Sequence, residues 1–406
     1  MNVATRCALP LIVSGWMSLI SAQTMEPISR LSEANAIQAL AGEAERNTKA
    51  DEFSGVVLVA KNGKVVFQHA YGDADREQKL ANTLDTKFHF GSIGKMITGI
   101  AVLQLVQAGK LKLDGTVGSY LHNYPNQQVA QVTIQQLLTH TGGTGDFMGP
   151  EYLARRNGIK THADYLSLLG TRDVSFTPGS RHEYSNYGYL LLGRIIEVVS
   201  GQSYYDYVAE HIFKPAGMIS TGYTPEDQPE PLRAIAYSRR DQPLLIQRGP
   251  PTNDGAPPMR LPPLEGDRGM HDRPREENRQ MPWRSAANQL DYRGTAAGGG
   301  FSTAGDLLKF TSALMNYQLL DRGHTQMAIT GKVDTGRPGL KYAYGFEDEN
   351  RDGIRRIGHG GGSGGQNAWL GIYPTSGYVV ITLANLDPPA ADKLARFVSA
   401  RLPVTQ

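Results

Sequence analysis

The chain has 406 residues, with 41 basic against 39 acidic side chains and a single cysteine. A net charge of +2 leaves no electrostatic footprint for nucleic acid, and a lone cysteine excludes a disulfide framework, a Cys-ligated zinc site and an iron–sulfur cluster. With 40% apolar and 20% charged residues the chain can bury a sizeable core, and its length suggests two or three domain-sized bodies or one large domain carrying insertions.

Residues 1–22 read as a secretory signal. Arg6 supplies the positive start, Cys7 to Ile20 are apolar, and Ser21-Ala22-Gln23 offers a small-residue cleavage site after Ala22. The apolar stretch is short for a membrane span, and an uncleaved anchor is the alternative. A lipid on Cys7 is disfavoured, because the apolar region follows that residue instead of preceding it. Cleavage takes away Arg6 and Cys7, so the mature chain carries +1 and no cysteine. The expectation is an exported protein, periplasmic or extracellular, with no stable membrane insertion after signal cleavage.

A lead-in over 23–52 contains a helix at about 26–47, marked by Ile28, Leu31, Ala34, Ile37 and Leu40. Gly55–Lys61 and Lys64–His69 are two strand-like runs joined by Asn62-Gly63, a strong hairpin signal. From Ser92 to Ala108 the apolar spacing turns helical through Ile93, Met96, Ile97, Ile100 and Leu103, with Gly109 as C-cap. Further helical stretches lie at Thr133–Leu138, Tyr187–Ser200 and Tyr204–Phe213. Residues 225–292 are rich in Pro, Arg, Asp and Glu, as in Pro250-Pro251, Pro257-Pro258 and Pro262-Pro263, and read as a surface insertion or partly disordered loop, with a lid or partner-binding arm as its functional reading. Thr303–Met315 is helical. Leu340–Phe346, Arg355–Gly358, Asn367–Tyr373 and Gly377–Ala384 are strand-like, and a helix over Ala390–Arg401 closes the chain. No period of 20–50 residues repeats. The fold class expected is α/β of the α+β type. Both chain ends build one antiparallel sheet, flanked by helices, and a mainly helical lobe is inserted between them, all within 53–402.

Two motifs are decoys. Gly361-Gly362-Ser363-Gly364-Gly365 fits a nucleophile elbow and His359–Gly362 fits an HGGG oxyanion element, yet no His follows Ser363 and the two elements overlap. Asp348-x-Asn350-x-Asp352-Gly353 matches half of an EF-hand loop, but the twelfth position is His359 and the flanks are strand-like, so an Asp-Gly hairpin turn is the better reading.

Three elements carry chemistry together. Ser92-Ile93-Gly94-Lys95 puts a hydroxyl and an amine one helical turn apart at a helix start. A buried amine of lowered pKa can take the serine proton, and the helix N-terminus favours developing negative charge. Such a tetrad occurs on the order of once by chance in a chain of this length, and an N-cap Ser on an amphipathic helix is the alternative. Tyr184-Ser185-Asn186 adds a proton-relaying hydroxyl and an amide able to hold both lysine and substrate. A second Tyr-x-Asn, Tyr124-Pro125-Asn126, reads as a turn. His359-Gly360-Gly361 lies on a late strand or just past it, where glycines admit a substrate backbone and the N–H of Gly362 can meet an oxyanion.

Taken in order, Ser92-x-x-Lys95, Tyr184-x-Asn186 and His359-x-Gly361 resemble the three motifs of the serine β-lactamase and penicillin-binding superfamily. The chain is most similar to the class C β-lactamase-like branch with its DD-peptidases, D-aminopeptidases and esterases. The similarity runs from about Phe53 to Leu402 and includes Phe88–Lys95, Gln104–Leu113, Leu137–Thr141, Pro178-Gly179 and Ala297–Asp306. It implies acyl-enzyme chemistry without metal or cofactor on a small-molecule or short-peptide substrate. By resemblance, Ser92 is the nucleophile. Lys95 and Tyr184 share the base and acid roles, and Asn186 positions Lys95 and the substrate amide. The N–H groups of Ser92 and Gly362 form the oxyanion hole, and His359 with Gly361 lies along the substrate. His359 stands where β-lactamases carry Lys; a histidine is mostly neutral near pH 7, so the resemblance points to an esterase or peptidase ahead of a strong β-lactamase. A DD-carboxypeptidase or weak β-lactamase is the enzymatic alternative, and a silent cell-wall peptide-binding protein is the alternative from another class. His140 belongs to a matching segment and reads as a structural residue of the helical lobe.

Overall fold

A computed structural model describes residues 30–240 and 281–404. The leader assigned to 1–22 and the centre of the proline-rich segment lie outside these residues. Among the described residues, no helix is long and apolar enough to cross a membrane.

Eight antiparallel strands form the main sheet: β1 (Gly55–Lys61), β2 (Lys64–Tyr71), β3 (Val333–Asp334), β4 (Leu340–Tyr342), β5 (Glu347–Arg351), β6 (Ile354–Ser363), β7 (Gln366–Tyr373) and β8 (Tyr378–Ala384). Their order is β2-β1-β8-β7-β6-β5-β4-β3, so the first and last long strands are neighbours in the middle of the sheet. Gly55 pairs with Ala384 and Lys61 with Tyr378. The sheet from both chain ends is therefore as expected from the strand-like runs. Asn62-Gly63 and Asp352-Gly353 both carry positive φ at each residue (49° and 76°, 54° and 79°), the signature of a two-residue I′ hairpin turn. The second turn disposes of the calcium-loop alternative, since Asp348 is a strand residue held by the Arg355 guanidinium at 2.8 Å.

Strand β1 is buried on both faces, and its side chains sort by the period of two. Val57 and Val59 join a core with Ala36, Leu40 and Ala44 of helix α1 (Glu33–Lys49) and Leu394 and Val398 of the closing helix (Ala390–Ser399). Val56 and Leu58 face the opposite core, with Met96, Ile97 and Ile100 of helix α2 (Gly94–Gln107). Helix α1 begins later than its apolar spacing suggests, because Ser32 caps it by accepting from the N–H of Asn35 at 3.3 Å. Helix α2 is apolar nearly all round, as a helix enclosed on all sides must be. Helix α3 (His162–Leu169) and helix α4 (Asn186–Ser200) belong to the helical lobe, and α4 packs against α2.

Two expectations need correction. The strand expected over Arg355–Gly358 runs from Ile354 through Ser363 and thus includes the whole glycine run, with His359 in its middle. Three glycines in a row, Gly360 to Gly362, hide the strand's periodicity, although the backbone pairs regularly with β7. The flanks of 225–292 are also not a loose surface insertion. Tyr237-Ser238 pairs with Arg284-Ser285, the N–H of Tyr237 donates to Asn385 O at 2.9 Å, and Ala234, Ala236 and Ala286 are buried. Bridges this short carry no periodic signal.

Candidate active site

Ser92 sits in a tight 3-10 turn (Gly91–Ile93) that runs directly into α2. The turn is clasped by the segment 295–300: Gly299 N donates to Gly91 O at 3.2 Å, and Phe90 N donates to Gly300 O at 2.9 Å. One turn along, the completely buried Lys95 places Nζ 3.2 Å from Ser92 Oγ, 2.7 Å from Asn186 Oδ1 and 2.6 Å from Ala297 O. Burial lowers the Lys95 amine from its ordinary 10.5 to about 7, against the opposing pull of the Asp146 carboxylate. The amide and carbonyl oxygens can only accept. A neutral Lys95 therefore spends two hydrogens on them, and its lone pair is left facing the Ser92 hydroxyl.

Ser185 organises the second element. Its side chain caps α4 by accepting from Gly188 N at 2.9 Å, and its own N–H donates to His140 Nδ1 at 3.1 Å. Asn186 is therefore the first residue of α4, and Tyr184 immediately precedes the cap. Asn186 Oδ1 takes the lysine, while its Nδ2 donates to Asp146 Oδ2 at 2.8 Å. Burial raises the Asp146 carboxyl, and bonds from Met148 N and Asn186 partly offset this. The Tyr184 hydroxyl hydrogen-bonds to Ser92, and its ring lies 4.6 Å from Lys95 Nζ. Burial pushes the Tyr184 phenol well above its usual range, so it holds its proton at neutral pH.

His140 does more than support the helical lobe. It is buried, has φ +58°, and stacks against Tyr184 with ring centroids 4.2 Å apart. Burial lowers its pKa well below the ordinary value, which makes it a neutral platform beneath the tyrosine. Tyr124-Pro125-Asn126 lies apart, as expected: Asn126 caps a short helix by accepting from Val129 N at 2.9 Å.

The third element is the free edge of β6. Two-residue turns at both ends of β6 set its hydrogen-bonding parity: Ile357, His359, Gly361 and Ser363 bond toward β7, and Ile354, Arg356 and Gly358 toward β5. Strand β5 pairs no further than Gly358, so the N–H groups of Gly360 and Gly362 face an uncovered edge. That edge abuts the Ser92 turn. A β-carbon built on Gly361 would lie 2.2 Å from Phe90 O and 2.8 Å from Ser92 N, and one built on Gly91 would lie 2.8 Å from Gly362 N. The N–H groups of Ser92 and Gly362 thus belong to one backbone junction beside the serine hydroxyl. The elbow reading of Ser363 has no such setting, since that residue ends β6 in a hairpin and its Oγ accepts from Gln366 Nε2 at 2.6 Å.

His359 is buried, with Nδ1 donating to Gly360 O at 2.5 Å and Nε2 2.9 Å from the Tyr342 hydroxyl. Glu347 lies close by. Burial alone would raise its carboxyl, but Arg356, at 2.9 Å, and His359 bring it down from 4.5 to about 2. A depressed carboxylate stabilises the fold above the unfolded value and loses that contribution as pH falls through the folded one. The expected result is that about 3 kcal/mol of stability disappears between roughly pH 5 and pH 2, and that Glu347→Gln removes this component. Chemical denaturation at pH 7 and pH 3 measures it, and an equal acid loss in the variant would contradict it.

All seven residues expected from the sequence therefore meet: Ser92, Lys95, Tyr184 and Asn186 in one hydrogen-bonded cluster, and His359, Gly361 and Gly362 along the strand edge beside it. Sequence reasoning missed Asp146, Tyr342 and the Ala297 carbonyl. The cavities of about 370 Å³ at Thr133–Thr141 and about 330 Å³ beside Ile219 and Lys309 are not lined by these residues.

The family model described as Beta-lactamase matches residues 40–403. The chain belongs to the beta-lactamase family. A penicillin-binding protein of Bacillus subtilis (strain 168) is 35% identical over 191 residues, which are 46% of this chain and 42% of that one. Protein flp of Staphylococcus aureus (strain MW2) is 31% identical over 195 residues, 47% of this chain and 39% of the relative. The matched part thus spans less than half the length of these curated relatives. Among solved structures, a penicillin binding protein from Bacillus halodurans superposes with a TM-score of 0.71 at 28% identity, covering 87% of this chain and 98% of that one. A D-stereospecific amidohydrolase from Streptomyces shares the fold at 24% identity, with a TM-score of 0.68 over 91% of this chain and 99% of the other. In this beta-lactamase family member the β-lactamase/transpeptidase-like architecture is thus the one expected from its strands and helices.

Proposed function

We propose that this chain is an exported serine hydrolase that forms an acyl-enzyme on Ser92 from an ester or amide of a small molecule or short peptide. The single observation that carries the reading is the Lys95 amine, 3.2 Å from Ser92 Oγ and brought down to about 7, with its two hydrogens already donated to Asn186 Oδ1 and Ala297 O. Lys95 takes the serine proton as the hydroxyl attacks the carbonyl carbon. The oxyanion meets the N–H groups of Ser92 and Gly362. Tyr184 keeps its proton and lies on Ser92, so it is the group suited to protonate the leaving amine or alkoxide, with Lys95 restoring its proton. Water then hydrolyses the acyl-Ser92 ester by the same groups in reverse. Asn186 holds Lys95 and faces the substrate, and His359 and Gly361 line the strand edge against which an extended substrate would lie. The apolar leader and Ala22 cleavage site support export.

Intact mass after treatment with a fluorophosphonate tests the reading. The expected result is one adduct per wild-type chain and none on Ser92→Ala. No adduct on wild type, or equal adducts on both, would overturn it. A panel of p-nitrophenyl ester, D-Ala-D-Ala peptide, D-amino-acid amide and chromogenic β-lactam, with Ser92→Ala as control, then assigns the acyl group.

A further inference from the structure

Behind Lys95 lies a second set of buried polar groups that the proposed chemistry does not use. His162, the first residue of α3, is completely buried. Its Nδ1 is 2.9 Å from Glu197 Oε1 on α4, and its Nε2 is 3.1 Å from the backbone N of Ala296. A backbone N–H can only donate, so Nε2 must be the bare nitrogen and the single ring hydrogen sits on Nδ1, pointing at the carboxylate. Burial raises Glu197, but the bonds from His162 and from Arg194, 3.0 Å away, outweigh it and keep the carboxylate charged. The other groups against the ring are Tyr204 and Tyr205, with centroids 5.2 and 5.9 Å away.

Ala296 and Ala297 form the tip of a tight turn closed by Thr295 N to Gly298 O at 2.7 Å and Gly298 N to Thr295 O at 3.0 Å. Its carbonyls point into α2: Ala296 O accepts from Thr98 Oγ1 at 2.7 Å, and Ala297 O accepts from Lys95 Nζ at 2.6 Å. The same segment clasps the Ser92 turn through Gly91. Room for the ring is made by Gly193 on α4, where a β-carbon would lie 2.6 Å from both His162 Nε2 and the Ala296 methyl.

We propose that His162, oriented by Glu197, is a positioning residue for Lys95: by accepting the Ala296 N–H it holds the Ala297 carbonyl against Nζ and so keeps the lysine lone pair aimed at Ser92. The inference rests on the acyl-enzyme reading above. Without that anchor the carbonyl is free to drift, the amine can rotate about its last bond, and a misplacement of about 1 Å costs on the order of 100-fold in rate. Loss of a carbonyl acceptor also disfavours the ammonium form, so the pH midpoint for serine modification moves down. Asp146, Tyr184, Tyr189 and His140 face Lys95 from the other elements.

The test is the rate of fluorophosphonate labelling of Ser92 as a function of pH, with kcat and KM on a small ester. His162→Phe keeps the volume of the ring and removes both nitrogens. It is expected to slow labelling and kcat about 100-fold and to lower the pH midpoint, leaving KM within about twofold, since the ring is remote from the substrate edge. His162→Gln, whose amide carries a donor beside an acceptor, restores the rate to within several-fold. Gly193→Ala wedges the ring away from Ala296 while keeping both residues, and decides the matter if His162→Phe does not fold. A wild-type labelling rate and pH midpoint in folded His162→Phe or Gly193→Ala overturns the proposal. A wild-type protein that never labels at Ser92 overturns the acyl-enzyme reading instead, so the two failures are distinct.

Discussion

Lys95→Met is expected to lower kcat/KM for any substrate by about 10³- to 10⁴-fold, the upper part of the range for a positioned general base. The substitution leaves Ser92, Tyr184 and the junction at Gly362 in place, so what is lost is the acceptor for the serine proton. Wild-type activity should follow the neutral amine. It rises with pH, reaches half its plateau near the value of about 7 to which burial brings Lys95, and is lost below that as the ammonium form takes over. The residual activity of Lys95→Met should show no step there. The same depression links to stability with its own sign. Between about 7 and 10.5 the unfolded chain holds a lysine proton that the folded chain has released, so wild-type stability climbs with pH through that window. Stopped-flow esterolysis and chemical denaturation across pH 6–10 measure both effects. A variant within tenfold of wild type, or one keeping the step near pH 7, would assign the base elsewhere.

Gly361→Ala should be nearly as severe, for a different reason. Its methyl has no flexible side chain to displace: the atoms in its way are Phe90 O at 2.2 Å and Ser92 N at 2.8 Å. Either β6 or the serine turn must retreat, and the Ser92 and Gly362 N–H groups then no longer converge on one point. Loss of one oxyanion donor costs about 100- to 1,000-fold in kcat, and forced separation of packed backbone costs about 1–3 kcal/mol in stability. Gly158→Ala is the matched control, since a β-carbon there meets nothing within 4 Å. Esterase kinetics and thermal melts of the two variants provide the comparison. A Gly361→Ala protein with wild-type kcat would mean that the strand edge takes no part in the reaction.

What could be read from the sequence follows from how local each signal was. Ser92 and Lys95 share one helical turn, so three residues of spacing suffice to bring hydroxyl and amine together. Tyr184 and Asn186 flank a serine whose capping role fixes them both. The hairpins at Asn62-Gly63 and Asp352-Gly353 announce themselves because two successive positive φ angles restrict the residues that fit. Asp146, Tyr342, Ala297 and His162 reach the site only through tertiary packing, and no local spacing ties them to Ser92. The Ala297 contribution is a backbone oxygen, which any residue supplies. The glycine run of β6 misled in the opposite direction: the strand-like pattern stops at Gly358, yet the small residues beyond it are required by the close approach of the serine turn to a regular strand.

The pairing of β1 with β8 has a consequence for biosynthesis. Gly55 and Ala384 are cross-strand partners more than three hundred residues apart in sequence. During translation, therefore, the first hairpin emerges with one side of β1 unpaired and waits for nearly the whole polypeptide to appear. The edge that carries His359 through Gly362 is made in the same late interval, well after Ser92. A chain released early would present an unclosed sheet and a serine without its strand, so premature products should be inert and prone to aggregate rather than partly active.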